Sequence, residues 1–189
     1  MTGRVIFDKL HILIAIIIKT DSMLPHTVND FLYSCFRNVP GKMGIFVRYV
    51  LLSNLVAACG KNVSIHPNVI IKNKKKLSLG NNVSIHSFCY LDATGEIKID
   101  NNISIAHGTS ILSSDHSWQD ENIPIKYNPI ITEKVVINDD VWIGCGVRIL
   151  KGVEIQSRSV VAAGSVVNRN VESFSLVGGI PAKLIKKIK

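Results

Sequence analysis

The sequence has few aromatic residues and few charges. Of its 189 residues, 6% are aromatic and 19% are charged, whereas 47% are hydrophobic. This balance excludes an intrinsically disordered chain and a coiled coil, because both would carry more charge. The 22 basic residues outnumber the 14 acidic ones, which gives a net charge of +8. That excess favours an anionic partner without choosing among nucleic acid, a membrane surface and a phosphate-bearing cofactor.

Cysteine is scarce and shows no metal-binding spacing. The four cysteines are far apart in the sequence and form no C-x-x-C pair: Cys35, Cys59, Cys89 and Cys145. The spacing therefore excludes a zinc knuckle and a disulfide framework. It predicts reduced thiols in a cytoplasmic protein.

Long hydrophobic runs are absent as well. The longest, residues 10–18, is interrupted by His11, and it is about half of the ~20 residues that a membrane-spanning helix needs. The polar residues 19–22 stand where a signal peptide would have its cleavage site, so we expect no secretory leader. The sequence predicts a protein that stays inside the cell. An alternative is peripheral contact of this apolar N-terminal segment with the inner membrane.

What the sequence does contain is an internal repeat. The motif N-V-S-I-H at residues 62–66 recurs at 82–86 and again, as N-I-S-I-A, at 102–106. A finer six-residue period is carried by aliphatic residues, namely Ile137, Ile143, Ile149, Ile155, Val161 and Val167. Six is no helical period, and Asn, Asp and Gly precede the segments, so the pattern indicates short strands joined by turns. Three such segments make one coil, and the sequence predicts an all-β solenoid.

Four motifs in a fixed order carry a resemblance to a known family. They are S-D-H at 114–116, V-W-I-G at 141–144, A-G-S-V-V at 163–167 and G-I-P-A-K at 179–183. Together with the repeat, they are similar to the hexapeptide-repeat O-acetyltransferases, including galactoside and maltose acetyltransferases and O-acetyltransferases of bacterial surface polysaccharides. The resemblance covers residues 59–189. It implies a left-handed parallel β-helix, acetyl-CoA as co-substrate, no metal, and a homotrimer.

The repeat divides the chain into three parts. Residues 1–58 lack the six-residue period, and their apolar spacing predicts a helical segment that covers one end of the solenoid. Residues 59–175 form the β-helix, interrupted by a loop at about 113–134. Residues 176–189 form a basic tail, interpreted as a short C-terminal helix.

His116 stands at the start of the loop and matches the catalytic histidine of the family. A neutral imidazole suits the removal of a hydroxyl proton near neutral pH. Asp115 or a backbone carbonyl would fix its tautomer, and a backbone N–H of the turn at Gly144 and Cys145 would hold the oxyanion. Trp142 is expected to line the cleft near the thioester. The alternatives are a surface histidine in a loop and a tryptophan in a subunit contact.

The resemblance also implies cofactor contacts, at Cys145, Ala163, Asn168, Arg169, Lys183 and Lys186. On the predicted helix the two lysines, three residues apart, would reach the phosphates of coenzyme A. Asn168 stands where threonine is usual, and Lys183 where galactoside acetyltransferases carry arginine. The position that matches their acceptor-binding asparagine is Phe88, so the resemblance assigns no acceptor residue.

Two histidines are expected to stack without forming a metal site. His66 and His86 lie 20 residues apart, which places them one strand spacing from each other. A third ligand would have to be His107, which is one residue out of register, so we interpret the pair as surface or interface histidines.

These observations predict an acetyl-CoA-dependent O-acetyltransferase that acts on a sugar or polysaccharide acceptor, in capsule or O-antigen biosynthesis. One alternative is N-acetylation of a nucleotide-linked amino sugar. A more remote alternative is a non-catalytic β-helix scaffold. Nucleic-acid binding is excluded, because aromatic residues are not interleaved with Lys and Arg.

Overall fold

The computed structural model describes the backbone of residues 3–188 and the side chains of residues 12–188. Met1, Thr2 and Lys189, which belong to the first and last of the three parts predicted from sequence, lie outside the described residues. The chain begins with three helices, α1 (Gly3–Asp21), α2 (His26–Phe36) and α3 (Gly41–Ser53). Within residues 3–188, no helix combines the length and the hydropathy needed to span a bilayer.

The rest of the chain winds as a parallel β-solenoid. The strands of its first three coils are β1 (Ala58–Cys59), β2 (Ser64–Ile65), β3 (Ile70–Lys72), β4 (Leu77–Leu79), β5 (Val83–Ile85), β6 (Tyr90–Asp92), β7 (Ile97–Ile99), β8 (Ile103–Ile105) and β9 (Ser110–Leu112). The remaining strands are β10 (Ser114–His116), β11 (Ile130–Thr132), β12 (Val135–Ile137), β13 (Trp142–Ile143), β14 (Arg148–Ile149), β15 (Glu154–Ile155), β16 (Val160–Val161), β17 (Val166–Val167), β18 (Ser175–Gly179) and β19 (Ala182–Lys187).

Each coil contributes one strand to each of three faces. Face A consists of β1, β4, β7, β12 and β15, face C of β3, β6, β9, β14 and β17, and face B of β2, β5, β8, β13, β16 and β18. Strands within a face are parallel, and β19 then pairs antiparallel with β18. The solenoid predicted from the repeat is thereby confirmed, with five full coils and a partial sixth.

The sequence repeat corresponds to the coil. Ile65 pairs with Ile85, and Ile85 with Ile105, so equivalent residues 20 apart stack directly. All three side chains are fully buried. Burial of such a side chain contributes about 1.5–3 kcal/mol, and each coil can realise this only with a neighbouring coil against it. The six-residue aliphatic period is thus the stacked core.

The predicted C-terminal helix is wrong. Residues Ala182–Lys187 form β19, in which Leu184 pairs with Val177 and Lys183 with Gly178. The last coil would otherwise leave the edge of face B with unpaired backbone groups, and β19 satisfies those groups by turning back antiparallel. Lys183 and Lys186 are therefore about 10 Å apart along a strand and do not share one helical face.

The helical segment closes the first coil through α3. Leu52 and Leu55 are buried against the end of the solenoid core, and Arg48 is fully buried with them. The Arg48 guanidinium donates from Nε to the Ile65 carbonyl (2.9 Å) and from Nη1 to the carbonyls of Phe36 (2.9 Å) and Val39 (2.7 Å). A single cation thus joins the C-terminal end of α2 to the first coil, and among the described residues it is the only donor to the carbonyls of Val39 and Ile65.

Candidate functional site

A hairpin interrupts the solenoid between its third and fourth coils. After β9 the chain does not turn onto face A; it leaves as β10, which pairs antiparallel with β11. His116 ends β10, opposite Ile130, and its side chain is exposed. The chain then resumes the solenoid at β12, which pairs with β7. The histidine singled out from the sequence is therefore carried on a projection from a rigid body.

The base of the hairpin is held by a buried serine. Ser113 is fully buried, and its hydroxyl donates to the Asp92 carbonyl (2.5 Å) and accepts from the Gly95 N–H (2.8 Å). Nearby, the Asp92 carboxylate accepts hydrogen bonds from the Thr94 hydroxyl (2.5 Å) and N–H (3.1 Å). Burial alone would raise the pKa of Asp92, but the Thr94 bonds and the charge of Lys72 outweigh it and lower that pKa. Ser113 thus anchors the hairpin to the backbone of Asp92 and Gly95, and Thr94 holds the neighbouring Asp92 carboxylate in place.

Asp115 does not orient His116 within this chain. Successive residues of a strand point to opposite sides, and Asp115 extends towards Lys151, with 4.0 Å between carboxylate and ammonium. Lys151 is also paired with Glu133, at 2.5 Å. Among the described residues, the His116 side chain has no hydrogen-bond partner. The carboxylate that the sequence suggested as its orienting group has a structural partner instead.

The distal part of the hairpin is closed by Asn128, which sequence reasoning missed. This buried side chain accepts from the Asp120 N–H (3.1 Å) and donates to the Asp120 carbonyl (3.2 Å). The only sequence signal was an Asn-Pro step inside the loop, which is typical of turns. Around this closure the hairpin exposes large apolar side chains, namely Trp118, Ile125, Tyr127 and Ile130.

Trp142 lies on face B, in the outward slot predicted for it. It pairs with Ser104 below and Val160 above, so it continues the column of Ser64, Ser84 and Ser104. Its side chain is 57% exposed and lines a groove of about 550 Å³. The groove also contains Ser84, Ser104, Asp140, Arg158 and Ile188.

Cys145 and Ala163 come together at the corner where face B turns into face C, and Lys183 lies further along, on β19. The Gly164 N–H donates to the Cys145 carbonyl (2.8 Å), which stacks the fifth coil on the fourth. Gly144 packs so closely that an added Cβ would lie 2.6 Å from the Ala163 nitrogen. Lys183 lies two strands beyond, since β18 pairs with β16 and β19 with β18, and it pairs with Gly178. Ala163 and Gly164 are exposed at this corner, and a Cβ added to Gly146 or Gly164 would meet no atom within 4 Å.

One N–H of this corner is available as a hydrogen-bond donor. The N–H groups of Gly144 and Gly146 donate to the carbonyls of Val161 (2.8 Å) and His107 (2.9 Å). In the part of the chain that the structure describes, the Cys145 N–H has no acceptor. Among the N–H groups of Gly144, Cys145 and Gly146, that of Cys145 is therefore the candidate donor to an oxyanion.

The remaining predicted cofactor residues lie elsewhere. Asn168 and Arg169 follow β17 and so occupy the corner where face C turns towards face A, the corner from which the hairpin departs in an earlier coil. Lys186 pairs with Leu176 on the outer edge of face B. Within one chain, His116 therefore lies on a different part of the solenoid from Trp142 and from the Cys145 corner.

Arg148 is a second residue that sequence reasoning missed. It occupies the outward slot of face C above Ser110, and its Nη1 donates to the carbonyls of Gly108 (2.9 Å) and Gly146 (2.9 Å). A charged residue replaces serine there, but the hexapeptide period gives no reason to single it out.

The stacked histidines are where the repeat places them. The rings of His66 and His86 are 4.5 Å apart and 14° from parallel. Burial, followed by the charges of His86 and Arg48, lowers the pKa of His66. Across the described residues, no group of three or more His, Cys, Asp or Glu side chains is arranged to hold a metal ion.

Comparison with known proteins gives consistent results. The family described as bacterial transferase hexapeptide (six repeats) matches residues 134–169. A hexapeptide-repeat containing acetyltransferase from Vibrio cholerae O1 biovar eltor, solved with acetyl-CoA, is 30% identical, with 87% of each chain covered and a TM-score of 0.77. A maltose O-acetyltransferase from Clostridium difficile 630 is 26% identical over 87% of this chain and 86% of its own, with a TM-score of 0.78.

A third similar structure has a different acceptor chemistry. The N-acyltransferase AntD from Bacillus cereus, solved with dTDP-4-amino-4,6-dideoxyglucose and coenzyme A as its S84A mutant, is 26% identical. The match covers 71% of this chain and 86% of that one, with a TM-score of 0.59. Among curated sequences, the chain spans only about a quarter of the length of the relatives it matches, 28% and 25% for the first two.

Proposed function

The chain belongs to the hexapeptide-repeat acetyltransferase family, and from that premise we propose that it transfers an acetyl group from acetyl-CoA to a sugar hydroxyl. The observation that carries the proposal is the hairpin that interrupts the solenoid and carries the exposed imidazole of His116. A rigid solenoid has no structural need for such a projection, and interruptions of this kind are usually functional. The similarity to a maltose O-acetyltransferase over 87% of the chain supports the sugar acceptor.

In this proposal His116 is the general base. One ring nitrogen accepts the proton of the sugar hydroxyl as its oxygen attacks the thioester carbonyl carbon. The negative charge that develops on the carbonyl oxygen is held by the Cys145 N–H. Collapse of the tetrahedral intermediate breaks the carbon–sulfur bond, and the imidazolium returns the proton to the thiolate of coenzyme A. The reaction is a direct transfer, in which Cys145 is not acylated.

The donor lies along the corner formed by Cys145 and Ala163. There the pantetheine arm contacts backbone, because the side chains are small, and Trp142 borders the thioester end. The anionic groups of coenzyme A are met by the cations at the ends of this path, with Lys183 on one side. The family resemblance also assigns contacts to Asn168, Arg169 and Lys186; of these, Asn168 and Arg169 lie at the corner of faces C and A and would reach this donor from a neighbouring chain. The net charge of +8 is consistent with such a donor.

The site is completed between subunits of a homotrimer. His116 projects from the corner of faces C and A, whereas Trp142 and Cys145 belong to face B and its junction with face C. A neighbouring chain that presents its own face B to the hairpin would bring these groups together. The apolar side chains that the hairpin exposes, among them Trp118 and Tyr127, supply a surface for that contact.

We further propose that the acceptor belongs to a bacterial surface polysaccharide, either capsule or O-antigen. N-acetylation of a nucleotide-linked amino sugar is the second candidate, and the similarity to AntD, solved with a dTDP-linked amino sugar, favours it. A non-catalytic scaffold is the remaining alternative. It would leave the hairpin histidine and the donor corner without a role.

Mass spectrometry of candidate glycans incubated with the protein and acetyl-CoA tests the proposal. We expect a gain of one acetyl group that mild base removes, since O-acetyl esters are labile and N-acetyl amides are not. An acetyl group that survives mild base would establish the second candidate. Absence of acetyl-CoA binding in calorimetry would leave the scaffold interpretation.

A further inference from the structure

The helical segment has a second face that the solenoid does not use. α3 turns Arg48 and Leu52 towards the first coil, where they are buried together with Leu55, which follows the helix. Phe46 and Val50 lie on the other side of α3, because residues four apart share one side of a helix. These two side chains line an apolar groove of about 250 Å³ between the three helices. The groove therefore faces away from the solenoid.

Exposed apolar side chains from all three helices extend this groove. We call this surface the outer helical face. Its members are 38 to 71% exposed, and they are Leu13, Ile16, Val28, Phe31, Phe36 and Met43. In α2, Val28 and Phe36 continue the stripe of the groove residue Leu32 at intervals of four. An apolar patch of this continuity on a protein surface marks an interaction site.

The outer helical face is held in a fixed geometry. The Asp21 carboxylate at the end of α1 accepts hydrogen bonds from the side-chain amides of Asn29 in α2 (3.1 Å) and Asn54 after α3 (2.6 Å). One carboxylate therefore joins all three helices. The apolar residues belong to a surface built by folding rather than to loosely attached segments.

The charge around this face is positive. Lys19 lies in the last turn of α1 and Lys42 directly precedes Met43, and neither has a carboxylate partner among the described residues. Asp30 is paired with Lys74 at 2.8 Å, whereas Asp21, which lines the groove, is held by two neutral amides. Residues 12–53 contain four basic and two acidic side chains, so the balance of charge is positive. A second copy of this chain would bring equal charges together on a shared face. An anionic surface would complement them.

We propose that the outer helical face docks on a lipid bilayer that contains anionic phospholipids. The apolar side chains enter the boundary between headgroups and acyl chains, and Lys19 and Lys42 meet the lipid phosphates. The helices lie on the membrane and do not cross it. Docking through the helices would hold the last coil of the solenoid away from the bilayer. The hairpin would then project from the side of the solenoid, between the membrane and the last coil.

Vesicle flotation of the full chain tests this inference, with phosphatidylcholine alone or mixed with phosphatidylglycerol. We expect the protein to float with the mixed vesicles and to remain unbound with phosphatidylcholine. Phe31→Ser should lower the partition constant at least about tenfold, and Lys42→Ala about fivefold, because a cation near an anionic surface contributes about 1 kcal/mol. The matched control is Phe174→Ser, a 48% exposed phenylalanine in the last coil, which should float like wild type.

Two outcomes would overturn the inference. One is a wild-type protein that remains unbound with both kinds of vesicle. The other is an equal loss of flotation in Phe31→Ser and Phe174→Ser, which would mean that lipid binding does not use the outer helical face. Circular dichroism of each variant establishes that it is folded. If wild type does not float and Phe31→Ser lowers the mass of the assembly in light scattering, the face is an interface between copies.

Discussion

Replacing Arg48 by methionine should detach the helical segment from the solenoid. Arg48→Met keeps most of the side-chain volume but removes every donor. The carbonyls of Val39 and Ile65 would then have no hydrogen-bond donor among the described residues, and the Phe36 carbonyl would keep only the Val39 N–H (3.2 Å). Bonds from a charged donor contribute about 1.5–3 kcal/mol each, so the lost bonds sum to about 4–9 kcal/mol.

Burial of the guanidinium is itself unfavourable because the charge loses its hydration, and Arg48→Met removes this desolvation penalty. Arg48 is fully buried, and its Nη2 has no hydrogen-bond partner. The desolvation of a buried ion amounts to several kcal/mol, so we expect a net loss of about 3–5 kcal/mol. Urea unfolding followed at the helical circular dichroism band measures this loss. Hydrogen exchange should locate it in α2 and α3, with the central coils still protected.

Two further variants make the interpretation specific. Gly44→Ala keeps the cation but places a Cβ against the Val39 carbonyl oxygen, so it should loosen the same junction. Arg37→Met removes a guanidinium for which the described residues provide no ion pair, and it should change stability by less than about 0.5 kcal/mol. If the free energy of unfolding of Arg48→Met lay within about 0.5 kcal/mol of the wild-type value, the guanidinium would not hold this junction together.

Three other predictions address the site and the histidine stack. Mixed trimers can be refolded from equal amounts of two inactive proteins, His116→Ala and Ala163→Trp. They should regain about a quarter of wild-type activity, because random mixing gives one site in four an intact His116 and an intact Ala163 from neighbouring chains. No recovery would mean that one chain supplies the whole site. Lys183→Ala should raise the KM for acetyl-CoA about tenfold with little change in kcat. For a donor without the 3′-phosphate, the same substitution should raise the KM less. The control is Lys187→Ala, which removes a lysine that is paired with Glu172 and should behave as wild type. The pKa of His66 is lowered in the folded protein, so the unfolded chain binds the proton first as the pH falls below about 6.5. The free energy of unfolding, measured with urea, should therefore decline below that pH, and His66→Gln should reduce the decline. An equal decline in both proteins would contradict this prediction.

The stacked core was accessible from sequence because each position of the repeat has one environment. Ile65, Ile85 and Ile105 are equivalent, and the period alone places them in one column. The same repeat spacing predicts that Trp142 occupies the outward-facing position on face B. Local patterns decide such a fold, since each coil contacts chiefly the next one.

The C-terminal strand and the Arg48 junction were not accessible in this way. A basic, aliphatic tail fits a helix or a strand equally well, and only the open edge of face B decides in favour of β19. Arg48 belongs to an amphipathic helix in which an arginine is expected to face solvent. Its burial depends on carbonyls from α2 and the first coil, which the sequence does not bring together. Asn128 and Arg148 were missed for the same reason, because their partners are backbone groups.

In the proposed reaction the imidazole of His116 removes the acceptor proton, and kinetics of three matched proteins test this role. Turnover and acetyl-CoA affinity are determined for wild type, His116→Ala and the neighbouring control Asp115→Asn, whose carboxylate faces Lys151. A general base acts in the transition state, so His116→Ala should lower kcat by about 10²–10⁴ and leave the Kd for acetyl-CoA unchanged. Asp115→Asn should retain kcat within about twofold of wild type, since its side chain points away from the imidazole. A His116→Ala protein that kept more than about a tenth of wild-type kcat would show that another group is the base.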